Sequence, residues 1–119
     1  MKCVIQNEGK ILLIRNSYGH KLWTFPGGGI DKKETTEQAI KREVMEEVEI
    51  KVNNLKKIGE FTTTAEYKID TVTVFVAKSV NDQFKIDEKE ILEARWFFPD
   101  NLPNISEYAK KIISMRASQ

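Results

Sequence analysis

Residues 28–50 of this chain read GGIDKKETTEQAIKREVMEEVEI, and the change of pattern within that stretch decides the fold. Before Thr36 it is glycine and charge with no apolar period. From Thr36 to Val48, Ala39, Ile40, Val44 and Val48 recur at the spacing of one helix face, with Glu, Lys or Arg on most other positions. The spacing predicts an amphipathic helix, with Thr35 or Thr36 as its N-cap and Glu37 and Gln38 in the first turn near the positive helix end. Glu43, Glu46 and Glu47 stand at i, i+3 and i+4 and so share a face, with Glu34 close by. Like charges so spaced cost a helix about 0.2–0.5 kcal/mol per pair, a repulsion that a divalent cation removes. Oxygen-only ligands favour Mg²⁺ or Mn²⁺ over zinc.

Upstream, Val4-Ile5 and Ile11 to Ile14 flank Asn7-Glu8-Gly9-Lys10 and predict a β-hairpin. Asn16 to Leu22 is a polar loop, and Trp23-Thr24-Phe25 is a short strand broken by Pro26 ahead of Gly27-Gly28-Gly29. Downstream, Ile50-Lys51-Val52 and Leu55 to Phe61 are expected as strands separated by Asn53-Asn54. Ile69 to Ala77 is the clearest strand of the chain, with Val72, Val74 and Val76 on one face. Phe84-Lys85-Ile86 is a further short strand, Asp87 to Leu92 an acidic loop or single helical turn, and Ala94 to Phe98 a last strand stopped by Pro99. Ser106 to Met115 closes the chain as a helix that buries Tyr108, Ala109, Ile112 and Ile113. Strands and helices are mixed without strict alternation, which predicts an α+β fold with a mixed sheet between helices.

The chain has 119 residues, expected as one domain over 1–119. At 40% hydrophobic and 31% charged it has globular composition, which excludes wholesale disorder. Nineteen Lys and Arg against 18 Asp and Glu leave no unbalanced field to recruit nucleic acid or an anionic membrane, so neither is expected as a partner. No apolar run approaches the ~20 residues that span a bilayer. The amino terminus lacks a signal-peptide pattern, and the lone Cys3 has no partner for an internal disulfide, so the expected compartment is the cytoplasm. Cys3, Trp23, Phe25, Trp96 and Phe97 are expected in the core, and His20 at the surface.

Gly28 is followed by Glu34 six positions on, then by Arg42-Glu43-Val44, Glu46-Glu47 and Ile50. This spacing resembles the signature of the Nudix hydrolase family, with Glu49 in place of the second signature glycine. The resemblance extends to the Trp23-Thr24-Phe25-Pro26-Gly27 lead-in and the Ala94-Arg95-Trp96-Phe97 segment, and so covers most of the chain. It implies an α/β/α sandwich and a Mg²⁺-dependent hydrolase, with Mn²⁺ as a substitute. The substrate so implied is a diphosphate linkage between a nucleoside diphosphate and another moiety, foremost a nucleoside triphosphate.

Catalytic roles are then expected of Glu34, Arg42, Glu43, Glu46 and Glu47. Metal ligation is expected of Gly27, Glu43, Glu46, Glu47 and an outer-loop acid chosen from Asp87, Glu88, Glu90 and Glu93, with Glu90 preferred. Arg42 presents a guanidinium fork suited to fixing Glu34. Gly28 and Gly29 leave backbone open to phosphate, and Arg15 and Lys21 are candidate phosphate contacts. The competing reading is a non-catalytic nucleotide sensor on the same fold; a prenyl diphosphate isomerase is the third. A nucleotide-derived small molecule is the expected partner, and the chain a monomer or homodimer. Glu49 stands where glycine commonly turns left-handed, so it must avoid that geometry or bear ~1–2 kcal/mol of strain.

Overall fold

A computed structural model describes residues 1–19, 21–65 and 68–119. Its strands are β1 (Lys2–Asn7), β2 (Lys10–Asn16), β3 (Asn53–Ala65), β4 (Lys68–Lys78) and β5 (Ile91–Phe97), and its helices α1 (Thr36–Val48) and α2 (Glu107–Ala117). The strands form one sheet in the order β3-β4-β1-β2-β5. β1 runs parallel to β4, and the other pairings are antiparallel, so the sheet is mixed as expected.

The β1–β2 hairpin turns at Glu8 and Gly9, both at positive φ (48° and 79°), the geometry that matches the twist of the flanking strands. Alternation along β1 and β2 then divides the core. Cys3, Ile5, Leu12 and Ile14 face α1, where Ile40, Val44 and Val48 pack with Phe75 and Ala77. Val4, Ile11 and Leu13 face the other way, with Val72 and Val74, onto Ala109 and Ile112 of α2. The two helices therefore cover opposite faces of the sheet. Ile40, Val44 and Val48 are fully buried, and each contributes roughly 1.5–3 kcal/mol. That outweighs the like-charge repulsion along α1 by an order of magnitude, so the apolar face holds the acidic face in place.

Four local expectations are corrected. Ile50-Lys51-Val52 is not a strand: Ile50 and Val52 are buried against the α1-side core, so their alternation reflects packing without pairing. Asn53 and Asn54 belong to β3, where Asn54 takes a positive φ of 54° next to a register shift. Phe84 to Ile86 is irregular: the Lys85 and Asp87 N–H groups donate to the Val48 and Glu47 carbonyls, satisfying acceptors at the helix end. Trp23 and Thr24 form isolated bridges to Ile105 and Ile14 in place of a continuous strand. His20 lies outside the described residues.

Candidate active site

Helix α1 begins on a capping box. Thr35 accepts from the Gln38 N–H through its side chain, and the Gln38 side chain accepts from the Thr35 N–H. This fixes where the helix starts. At the other end Glu49 is left-handed (φ 53°, ψ 43°), and its N–H returns to the Met45 carbonyl. The carboxylate takes the very conformation that glycine adopts at no steric cost.

The acidic side chains of α1 meet three different environments. Glu47 is buried, and its Oε1 accepts the Gly27 N–H at 2.8 Å. Burial pushes its carboxyl up to about 7; the Gly27 hydrogen bond and the Lys2 charge work against that shift, while Glu43 and Glu90 add to it. Glu43 is mostly covered and accepts from Arg42 Nη1 at 2.9 Å. Glu46 is exposed, 3.3 Å from the same nitrogen. Among the described residues no three acidic, histidine or cysteine side chains converge as a ready cation cage. Spacing on the helix brings these carboxylates near one another, and the guanidinium and the glycine N–H draw them apart.

Arg42 links the helix to the loop before it. Its Nε and Nη2 bind the two oxygens of Glu34 at 2.8 and 3.0 Å, and Nη2 also reaches the Gly29 carbonyl at 3.2 Å. Asp31 lies 3.5 Å away. Glu34 in turn accepts from the Asp31 N–H at 2.9 Å. The Arg42 hydrogen bond holds the Glu34 carboxyl below its usual range, and Glu34 holds the guanidinium above its own.

The glycines differ in what they make room for. A Cβ on Gly27 would overlap the Met1 carbonyl and press on Lys2 Cα, because Gly27 bridges to Lys2. On Gly28 it would overlap the Glu43 carboxyl, so the missing side chain of Gly28 is the space that this carboxylate occupies. Around Gly29 nothing lies within 4 Å. The Gly28 carbonyl accepts from the Met1 nitrogen at 2.8 Å.

A family model described as the NUDIX domain matches residues 2–115. The chain belongs to the Nudix family. It is similar to the NAD-capped RNA hydrolases NudC of Salmonella heidelberg and Salmonella typhi, each 38% identical over 100 residues, which are 83% of this chain and 38% of theirs. The chain thus spans about two fifths of the length of these curated relatives. The MutT NUDIX hydrolase of Burkholderia pseudomallei has the same fold, with a TM-score of 0.86 at 22% identity over 96% of this chain and 93% of that one. A UDP-X diphosphatase superposes with a TM-score of 0.81 at 29% identity, over 96% of this chain and 58% of the other.

Within this Nudix fold, Arg42 ties together Glu34, Glu43 and Glu46, and Gly27 holds Glu47, so these residues and the glycine loop lie along one side of α1. Glu90 stands apart from that network: its backbone carbonyl accepts from Ser17, and its charge acts on Glu47. Asp87 reaches the helix end through its N–H to the Glu47 carbonyl, while its side chain accepts from the Lys89 N–H. Glu88 is exposed. Glu93 is taken by Arg15 (2.9 Å) and Arg95 (2.8 Å). Arg15 is thereby tied down, since it also donates to the Lys21 carbonyl at 3.0 Å and lies over the Trp23 ring. Lys21 is exposed. Lys2 was not anticipated: its charge acts on Glu47, yet at the start of a strand a lysine reads as solvated edge.

Proposed function

We propose that this chain, read as a single Nudix domain over 1–119, is a pyrophosphohydrolase that cleaves the diphosphate linkage of a nucleoside diphosphate joined to a second moiety, nucleoside triphosphates included. The observation that carries this reading is the buried Glu47 carboxylate, hydrogen-bonded by Gly27, with the Glu43 carboxyl filling the space left by Gly28 in the same loop. Burying a carboxylate away from any ion-pair partner costs several kcal/mol, and a divalent cation offsets that cost. Nudix hydrolases use divalent cations, and an all-oxygen donor set here suits Mg²⁺, with Mn²⁺ able to replace it.

Glu43, Glu46 and Glu47, with the Gly27 carbonyl and with Glu90 where it does not act as the base, would hold the cation. When bound, it supplies charge neutralisation for the diphosphate and acidifies water. The remaining work falls to the chain. Arg42 and Glu34 fix the loop and leave the Gly29 N–H available to phosphate, whereas Met1 engages both backbone polar groups of Gly28, so the phosphate contact expected of Gly28 is corrected. A carboxylate oxygen, of Glu43 or of the exposed outer-loop Glu90, accepts the proton of the attacking water. The cytoplasm is the proposed compartment, in keeping with the unpaired, buried Cys3 thiol, and no described helix is long and apolar enough to cross a membrane.

The test is a product assay with Mg²⁺ against nucleoside triphosphates, ADP-ribose, NADH and dinucleoside polyphosphates, with Glu47→Gln as control. Turnover of one class, lost by orders of magnitude in a folded control, is the expected result. Equal turnover in the control would remove Glu47 from the mechanism. Nucleotide binding with no turnover of any compound would favour a sensor.

A further inference from the structure

A diphosphate entering this site meets carboxylates, so cations outside the metal-ligand set must share in holding it. The two arginines nearest the site are already engaged. Arg42 spends Nε, Nη1 and Nη2 on Glu34, Glu43, Glu46 and the Gly29 carbonyl. Arg15 is held by Glu93, the Lys21 carbonyl and the face of Trp23.

Lys2 is placed differently. Its backbone pairs with Gly27 on one side and Val74 on the other, so the strand that carries it also sets the glycine loop. Its half-buried side chain donates from Nζ to the Phe25 carbonyl at 3.0 Å, two residues before that loop. The charges of Glu47 and Glu43 act on it, yet no described carboxylate lies within ion-pair distance. An ammonium has three donors, and the Phe25 carbonyl takes one. A cation partly stripped of water, beside the carboxylates but unpaired with them, is a binding group for an anion.

We propose that Lys2 is a diphosphate-binding residue, its Nζ donating to a non-bridging phosphate oxygen of a substrate held against Glu43 and Glu47. This rests on the hydrolase reading above for the identity of the anion, though not for its binding.

The experiment is calorimetric titration of ADP in saturating Mg²⁺ into the wild type, Lys2→Met and Lys2→Arg, with Mn²⁺ titrated alone in parallel. Lys2→Met should bind ADP at least tenfold more weakly, Lys2→Arg should recover most of that loss, and Mn²⁺ affinity should stay within about twofold. Where substrate is turned over, KM should rise more than kcat falls. Lys2→Gln replaces the Met variant should that one melt at lower temperature. Unchanged ADP affinity in both neutral variants would overturn the proposal, as would a loss confined to Mn²⁺ binding, which would make Lys2 a counter-ion of the carboxylates. ADP binding that depends on Lys2, with no turnover of any nucleotide, would sink the hydrolase reading and leave the site standing. A wild type that does not bind ADP would overturn the Lys2 proposal and leave the hydrolase reading to the turnover panel.

Discussion

Gly27 donates its N–H to Oε1 of Glu47 at 2.8 Å across twenty positions of sequence, joining the loop before α1 to the penultimate residue of that helix. The bond determines which acidic side chain of the helix turns inward. It also leaves a carboxylate in a place where its charge is costly without a cation.

The folded-state value of Glu47, about 7 against an ordinary 4.5, makes metal-free stability depend on pH. The folded chain keeps this proton where the unfolded chain has lost it. The contribution is therefore fully present below about pH 4.5, falls as pH rises toward 7, and is flat beyond, for a loss of about 3 kcal/mol. Glu47→Gln should remove that slope, and Mg²⁺ should restore stability to the wild type at pH 8 and much less at pH 5. Urea melts with chelator and with Mg²⁺ at the two pH values check this, and equal slopes in wild type and variant would refute it.

Gly27 and Gly28 should respond to alanine in opposite ways. At Gly27 the methyl would meet backbone of Met1 and Lys2, which cannot yield, so Gly27→Ala should cost about 2–3 kcal/mol. At Gly28 it would meet the end of a flexible side chain, so Gly28→Ala should melt within a few degrees of wild type while displacing Glu43 and lowering turnover at least tenfold. Thermal melts beside kcat measurements separate the two.

Glu49→Gly should stabilise the protein. The left-handed conformation costs a residue with a Cβ ~1–2 kcal/mol, from which the greater unfolded-state freedom of glycine takes back part. A gain of about 1 kcal/mol, read as a Tm higher by a few degrees, is expected, with activity unchanged. A clear fall in Tm would show that the exposed Glu49 side chain makes a contact the structure does not reveal.

Arg42→Lys keeps the charge and loses the fork. It cannot hold both oxygens of Glu34 while reaching Glu43 and the Gly29 carbonyl, so the loop should loosen and kcat/KM fall at least tenfold. Arg42 acts here as a positioning residue, so Mn²⁺ affinity measured without substrate should fall as well. Unchanged Mn²⁺ binding and turnover would show that the lysine suffices.

What the sequence determined by itself lies within a few residues of where it is written. The α1 period, the Thr35 cap, the Glu8-Gly9 turn and the left-handed demand on Glu49 are properties of neighbouring positions, and each was legible there. The signature spacing likewise gathers Glu34, Arg42 and the helix carboxylates onto one loop and helix. Tertiary structure alone decided that Glu47 is buried and Glu46 exposed, although each stands within one helical turn of Glu43. It also decided that Ile50 and Val52 pack without pairing, that Arg15 belongs to Glu93 from another strand, and that Lys2 donates to the Phe25 carbonyl beside the glycine loop. Propensity and spacing act through the backbone over one or two turns, whereas burial and charge pairing depend on what another part of the chain brings alongside.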